Sequence, residues 1–250
     1  MKIKYLISKD RRVQAFNKLI KDNFPEFINE KNPEAILVAG GDGAMLHAIQ
    51  DWQELNIPFI GKALGTVNFM MNNINNDIDF LSKLKRGDVK IKYLKTNSIR
   101  VEVNKKYITE AVNEILIGGD INSYNTFNLN TEDGSFNSVT IKGAGLCIST
   151  PLGSTAYNFN NQGAILPLQT NIWSLTGIVS NKYINDIISA QNIELTAPNS
   201  LLYADGIKLK ALKDDDTVQI SKGKEVRLGF LDKDSLFRKR IEVASRLRRG

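Results

Sequence analysis

The chain has 250 residues, of which 42% are hydrophobic and 24% charged, and its formal net charge is +6. This composition is typical of a folded protein of one large or two ordinary domains, and the charge favours an anionic ligand. No apolar run approaches the roughly 20 residues of a membrane span, and the first residues do not resemble a signal peptide. The single cysteine, Cys147, and single histidine, His47, exclude an intrachain disulfide and a Cys/His zinc site. We therefore expect a cytoplasmic protein without a membrane partner.

The first 90 residues alternate between strand and helix patterns. Three helical faces are predicted by apolar spacing, the third with Asp77 as its cap and Gly87 as its end. Such alternation is typical of a parallel α/β layer. The predicted strands are residues 2–8, 35–39 and 58–61, and the helical faces contain Val13, Phe16, Ile20 and Phe24, then Met45, Ala48, Ile49 and Trp52, then Ile78, Leu81 and Leu84.

From about residue 90 the pattern changes to short strands separated by turns. One helix is predicted at residues 172–189, between these strands. We predict an α/β domain with a parallel sheet at residues 1–95, an all-β, sandwich-like domain at 96–233, and a C-terminal helix at 234–250 that returns to the first domain. The predicted strands of the second domain are residues 91–94, 98–103, 107–117, 126–130, 138–142, 192–197, 201–204, 208–212, 217–221 and 225–230.

One stretch combines a buried strand, a glycine turn and a helix start. Residues 35–39 run into Gly40, Gly41, Asp42 and Gly43, and a helical pattern follows at once. Glycines let a backbone approach a ligand closely, and a helix N-terminus attracts phosphate. In such a site Asp42 can accept a proton from a substrate hydroxyl or hold a magnesium ion. The alternative is a structural turn in which Asp42 caps the helix.

Two later stretches carry polar residues that suit a nucleotide. Asn113 and Glu114 lie in an apolar segment, where a carboxylate is costly unless paired, and Glu114 can accept two ribose hydroxyls. Residues 149–157 place hydroxyls around Gly153 and before Tyr157, which can stack on a base. The alternatives are an exposed strand end for the first stretch and, for the second, a loop whose hydroxyls bond their own backbone.

In this order, the three stretches resemble the NAD kinase family. The resemblance covers most of the chain, including the α/β-then-β layout and an Asp205-Gly206 pair in a late strand. Gly-Gly-Asp-Gly also occurs in diacylglycerol and sphingosine kinases and in phosphofructokinases, whereas the segment 149–157 is the more specific marker. The resemblance implies a kinase that transfers the γ-phosphoryl group of ATP to the 2′-hydroxyl of the adenosine ribose of NAD. Some members use polyphosphate instead.

The resemblance also implies the residues of the site and its partners. Asp42 is the implied catalytic base, and Gly40, Gly41 and Gly43 shape the phosphate (ATP) site. Mg²⁺ or another divalent cation is expected to neutralise phosphate charge, with no side chain assigned to the metal. Partners are NAD, ATP and further copies of the chain, in a homodimer or homotetramer joined through the β-rich domain, with no nucleic acid. The implied NAD-binding residues are Asp42, Gly43, Phe69, Asn113, Glu114, Lys142, Ala144, Thr155, Ala156, Tyr157, Asn158, Phe159, Asn160 and Val179.

Four places depart from the family pattern. Ala44 replaces the family's threonine or serine at the helix start. Ala144 replaces an aspartate that resembles an NAD ligand, and Leu152 replaces a small hydroxyl residue. The loop 63–69 keeps only two residues of the family's Asn-x-Gly-x-Leu-Gly-Phe. Each lost hydrogen bond costs about 0.5–1.5 kcal/mol, so we expect weaker binding with catalysis retained.

Three other functions are alternatives to an NAD kinase. The substitutions at Ala44, Ala144 and Leu152 favour a non-catalytic NAD(P)-binding sensor or regulatory subunit. A lipid kinase would share the glycine motif, but the segment 149–157 argues against it. A nucleic-acid binder would depend on the basic C-terminal residues, which are more typical of a solvated helix face.

Overall fold

The computed structural model describes residues 1–65, 68–119 and 125–231, together with Arg240 and Glu242. Its internal contacts divide the chain into two units, unit 1 with Met1–Lys95 and Val226–Gly250, and unit 2 with Thr96–Glu225. Most of the predicted C-terminal helix, 234–250, lies outside the described residues. Within the described part, no helix has both the length and the apolar character needed to cross a membrane.

Strands and short helices follow one another along the chain as the sequence patterns indicate. Up to residue 91 the elements are β1 (Ile3–Leu6), α1 (Gln14–Asn23), α2 (Pro25–Asn29), β2 (Ala35–Gly40), α3 (Asp42–Trp52), β3 (Phe59–Ala63) and α4 (Asp77–Arg86). They continue with β4 (Lys92–Val103), β5 (Lys106–Ala111), β6 (Glu114–Gly118), β7 (Asn125–Thr131), β8 (Val139–Gly143), β9 (Gly145–Ser149), α5 (Tyr157–Asn160), β10 (Ile172–Ile178), β11 (Asn185–Ser189), β12 (Ile193–Thr196), β13 (Leu201–Ala204), β14 (Ile207–Ala211) and β15 (Thr217–Phe230).

Unit 1 is built on a parallel sheet. Strand β2 lies between β1 and β3, and the end of β15 adds to β3 through Leu228 and Gly229, all in parallel. This pairing explains why residues from Val226 onwards group with unit 1, although the sequence analysis assigned residues up to 233 to the second domain. All six residues of β2 are buried, as expected for a central strand covered on both faces. The predicted parallel α/β layer is confirmed.

Helix α4 differs from its predicted details. Its N-cap is Asn76, whose side chain accepts a hydrogen bond from the N–H of Asp79, so Asp77 is the first helical residue rather than the cap. Ile78 is 53% exposed, because Phe80, Leu81 and Leu84 form the buried face instead. Gly87 ends the helix with φ of 81°, as predicted, in the left-handed conformation that glycine adopts without strain.

Unit 2 consists of two layers of antiparallel strands around one apolar core. One sheet has the order β11-β10-β9-β6-β13-β14; in the other, β15, β12, β7 and β8 pair in sequence, and β4 pairs with β5 and β15. Both layers contribute to the core, for example Phe127 and Leu195 from one and Ile148 and Trp173 from the other. The predicted all-β, sandwich-like region is confirmed.

The predicted helix at residues 172–189 is wrong. The segment forms β10 and β11, which pair antiparallel from Ile172 with Ser189 to Thr176 with Asn185. The apolar residues of this segment also fit a strand pattern, and its middle contains Ser180 and Asn181, residues that favour turns. Three smaller differences concern bounds. Residues 107–117 form two strands separated by Val112 and Asn113, whereas 91–94 and 98–103 belong to one strand, as do 217–221 and 225–230.

Candidate active site

The Gly-Gly-Asp-Gly turn connects the buried strand β2 to helix α3 in unit 1. Gly40 has φ of 149°, and a Cβ there would lie 2.8 Å from the Cβ of Ala44, so this position requires glycine. Gly41 is the N-cap of α3 and makes no side-chain cap. Gly43 is exposed, with open space where a Cβ would point. The first turn of α3 thus presents glycine backbone at the carboxyl end of a parallel strand, where α/β sheets bind ligands.

The carboxylate of Asp42 is held by a neighbouring loop. Its Oδ2 accepts a hydrogen bond from the N–H of Phe69 at 2.9 Å, and its Oδ1 accepts one from the N–H of Met70 at 2.7 Å. Asp42 therefore does not cap its own helix, as the alternative interpretation expected; its carboxylate bonds the loop instead. Because each carboxylate oxygen has two lone pairs, both oxygens keep capacity to accept a further hydrogen bond.

Asn68 supports the described ends of the divergent loop 63–69. The family pattern has glycine at this position, and Asn68 has φ of 59°, in the left-handed region that asparagine tolerates better than most residues. Its side chain bonds both backbone groups of Gly65, donating to the carbonyl at 2.5 Å and accepting from the N–H at 3.1 Å. The loop that carries Phe69 therefore has a local support that the family glycine cannot provide.

In unit 2, Asp205 holds the Asn113–Glu114 turn between β5 and β6. Its carboxylate accepts hydrogen bonds from the N–H groups of Val112 at 2.8 Å, Asn113 at 2.7 Å and Glu114 at 3.2 Å. The N–H of Asp205 in turn donates to the carbonyl of Glu114 at 3.0 Å. The sequence analysis noted Asp205 only as part of the resemblance, without a role. The structure places Asp205 and Gly206 in the turn between β13 and β14, not within a strand as expected, and an Asp-Gly turn gives no local sign of this contact.

Two oxygens of this turn, Asn113 Oδ1 and Glu114 Oε2, are buried and have no hydrogen-bond partner among the described residues. Burial, and next the charge of Asp205, raise the pKa of Glu114 to about 8, whereas a hydrogen bond from the N–H of Tyr157 acts in the opposite direction. Buried acceptors are almost always satisfied, so these two indicate where hydroxyl groups of a ligand would bind. The exposed-strand-end alternative is excluded, because Asn113 and Glu114 are 8% and 6% exposed.

Several hydroxyls of the segment 149–157 bond the protein's own backbone. The hydroxyl of Thr150 donates to the carbonyl of Val112 at 2.7 Å and accepts from the N–H of Gly153 at 3.1 Å. The hydroxyl of Ser154 donates to the carbonyl of Pro151 at 2.8 Å. The polar-loop alternative thus describes these buried side chains, while Thr155 remains half-buried and accessible.

An apolar cavity of about 420 Å³ lies beside β6, the strand that begins at Glu114. Tyr157, which is 40% exposed, forms one wall, and Ala144, at the position of the family aspartate, forms another. Tyr203 and Ile178 also line it. The apolar lining and the exposed tyrosine ring suit a planar aromatic group such as a nucleotide base.

The other predicted NAD-binding residues of unit 2 have different environments. Asn158 is fully buried, and its amide donates to the carbonyls of Ser154 and Ala164, so it supports the loop. Lys142 and Asn160 are exposed, and Ala156 and Phe159 are half-buried. Val179 is 57% exposed with φ of 46°, which is rare for a β-branched residue and is typical of functional segments.

Arg240 was missed by the sequence analysis, which treated the basic C-terminal residues as a solvated face. Its side chain is only 2% exposed, and its guanidinium carbon lies 5.8 Å from the centre of the Phe69 ring. A run of basic residues near a chain end gives no sign that one of them is buried. The structure thus brings Gly40, Gly41, Asp42 and Phe69 together in unit 1, with Arg240 beside them.

Comparison with known proteins finds NAD kinases among the relatives of this chain. No family model matches the chain. The NAD kinase of Rickettsia canadensis is 32% identical over 177 residues, which cover 71% of this chain and 68% of that relative. An NAD kinase from Archaeoglobus fulgidus, solved in complex with ATP, is similar over 98% of this chain and 99% of its own, with a TM-score of 0.75 and 21% identity. Yeast NADH kinase, solved with NADH, is similar over 97% of this chain and 86% of its own, with a TM-score of 0.78 and 16% identity.

Proposed function

Because the chain belongs to the NAD kinase family and its activity is the phosphorylation of NAD, we propose that Asp42 is the catalytic base. Its carboxylate accepts the proton of the 2′-hydroxyl of the adenosine ribose while that oxygen attacks the γ-phosphorus of ATP. The bond from the γ-phosphorus to the bridging oxygen breaks, and ADP and NADP leave. The observation that carries this role is the fixed orientation of Asp42 by two backbone N–H groups at the start of α3.

ATP phosphates suit the glycine turn. Gly40, Gly41 and Gly43 leave the backbone open, and the N-terminus of α3 supplies N–H groups and a favourable dipole. The glycine turn offers few side-chain oxygens to a metal, so the expected Mg²⁺ would take most of its ligands from phosphate oxygens and water. Among the described residues no group of three acidic, histidine or cysteine side chains is placed to hold a metal. Such a phosphate-bound ion, which neutralises charge during transfer, is typical of kinases.

Unit 2 contains the other groups that are proposed to bind NAD. Asn113 Oδ1 and Glu114 Oε2, buried without partners, are proposed to receive ribose hydroxyls. The apolar cavity with Tyr157 as a wall is proposed to take an aromatic ring of NAD. Since Ala144 offers no carboxylate there, this chain holds that ring through apolar contact rather than through the family aspartate. Thr155, Ala156, Phe159 and Asn160, which are half-buried or exposed, are proposed to contact NAD as the resemblance implies, whereas the buried Asn158 supports the loop.

A second copy of the chain is the remaining partner in this proposal. Val179 and Tyr183 are exposed, at 57% and 88%, next to a concave surface that also includes Asn160. Two large, solvent-facing apolar side chains on one hairpin are suited to contact between subunits. Lys142 and Val179 would then act in NAD binding at a homodimer or homotetramer interface. The single buried cysteine is consistent with the cytoplasm as the compartment.

A coupled assay with a matched pair of variants tests the role of Asp42. Protein, ATP, Mg²⁺ and NAD are incubated, and NADP is measured through an NADP-specific dehydrogenase. We expect Asp42→Asn to lower kcat by at least about 10²-fold, since a positioned carboxylate contributes 10²–10⁴-fold. Asp51→Asn changes an exposed residue of the same helix and should keep wild-type activity. Near-full activity of Asp42→Asn would refute the base, and NAD binding without turnover by wild type would favour the sensor function instead.

A further inference from the structure

The buried guanidinium of Arg240 is the feature of unit 1 that the proposed reaction leaves without a role. Arginine is almost never fully buried unless its charge is compensated, because desolvating a cation is costly. Arg240 is 2% exposed. Its position beside Phe69 and Asp42 places it in the proposed site of unit 1.

Arg240 and Asp42 are connected through Phe69. The guanidinium carbon lies 5.8 Å from the centre of the Phe69 ring, within the range of a cation–π contact. The backbone N–H of the same Phe69 donates to Asp42 Oδ2 at 2.9 Å. One residue therefore has its ring against the arginine and its backbone against the carboxylate, so displacement of the ring would also displace a hydrogen bond to Asp42.

The charges of the two residues also act on each other. Burial lowers the pKa of Arg240 to about 10, and the charge of Asp42 acts in the opposite direction, so the guanidinium stays protonated at neutral pH. Lys62 is the other buried cation in the described part of unit 1, and it serves a different partner. Its ammonium lies 2.6 Å from Asp77 and donates to the carbonyl of Ile74 at 2.6 Å.

We infer that Arg240 is a positioning residue for phosphoryl transfer, which holds Phe69 with its guanidinium plane and offsets the charge of Asp42. This inference rests on the proposed role of Asp42 as the base. A planar guanidinium stacks on an aromatic ring in a way that a lysine ammonium does not. Loss of the guanidinium loosens the Phe69 backbone and with it the orientation of the carboxylate, and small misplacements of a catalytic group reduce rates strongly.

The test compares Arg240→Met, Arg240→Lys and Lys62→Met with wild type. We expect Arg240→Met to lower kcat roughly 10–100-fold, a larger effect than the change in its dissociation constant for NAD, measured by calorimetry. Arg240→Lys, which retains the charge, should recover part of that loss. Lys62→Met removes the other buried cation and should lower the melting temperature while kcat stays within about twofold of wild type.

Four results would overturn the inference: a wild-type kcat in Arg240→Met, a wild-type kcat in Arg240→Lys, an equal loss in Arg240→Lys, or an equal loss in Lys62→Met. Should Arg240→Met not fold, Arg240→Gln replaces it as the neutral variant. A wild-type kcat in Arg240→Lys would show that the planar guanidinium is not needed. The Asp42→Asn variant separates the two ideas. If it is inactive while Arg240→Met is fully active, the positioning role fails and the base stands; if it is active, the base itself fails.

Discussion

Replacing Glu114 by glutamine should change how the stability of the protein depends on pH. Glutamine has the same shape as glutamic acid and cannot ionise. Glu114 is 6% exposed, and burial is the main cause that raises its pKa from 4.5 to about 8. Between these values the unfolded chain has lost the proton while the folded protein retains it. The folded state then binds more protons, so the free energy of unfolding of wild type falls as the pH rises.

The size of this effect follows from the two pKa values. Stability associated with protonated Glu114 is fully present below pH 4.5 and is lost progressively up to pH 8. One pKa unit corresponds to about 1.36 kcal/mol, so the total is roughly 4–5 kcal/mol, of which roughly 3–4 kcal/mol falls between pH 5.0 and pH 8.5. That is a large part of the stability of an ordinary domain.

Urea unfolding at pH 5.0 and pH 8.5 measures the difference. Glu114→Gln should be close to wild type at the lower pH and clearly more stable at the higher pH. Glu194→Gln makes the same substitution at an exposed position of β12 in the same unit, and its difference from wild type should not depend on pH. If the difference between Glu114→Gln and wild type were the same at both pH values, the burial argument for Glu114 would be wrong.

Two further predictions concern the support of the site. Asp205→Asn replaces an acceptor of backbone hydrogen bonds with an amide donor, so it should lower the free energy of unfolding by about 1.5–3 kcal/mol and raise KM for NAD. Asp186→Asn, at an exposed position of β11, should do neither. Gly153→Ala would place its Cβ against the backbone of Asn113 and should cost about 1–3 kcal/mol in urea unfolding. Gly43→Ala, which meets open space, should keep or slightly raise stability while weakening ATP use; equal melting temperatures of the two alanine variants would contradict this.

The sequence predicted the elements whose patterns are local. The alternation of strands and helices up to residue 90 and the strand–glycine turn–helix order around Asp42 follow from periodicity and turn chemistry, which depend on neighbouring residues. The resemblance to NAD kinases came from the same short motifs, and the relatives confirm the family. Where local patterns are ambiguous the prediction failed, as at residues 172–189, because pairing with β9 and β11 decided that Ile172–Ile178 is a strand.

By itself, then, the sequence determined the fold class, the family and the chemical types available to the site. The tertiary structure decided which groups orient and support the residues of the site. Asp42 is oriented by N–H groups 27 and 28 residues away, and the Asn113–Glu114 turn is held by an aspartate more than 90 residues further along the chain. Burial of Arg240 and of the unpartnered oxygen of Glu114 was equally invisible to local patterns. Such contacts depend on how distant segments pack, and the charge, the pKa and the orientation of a side chain follow from that packing.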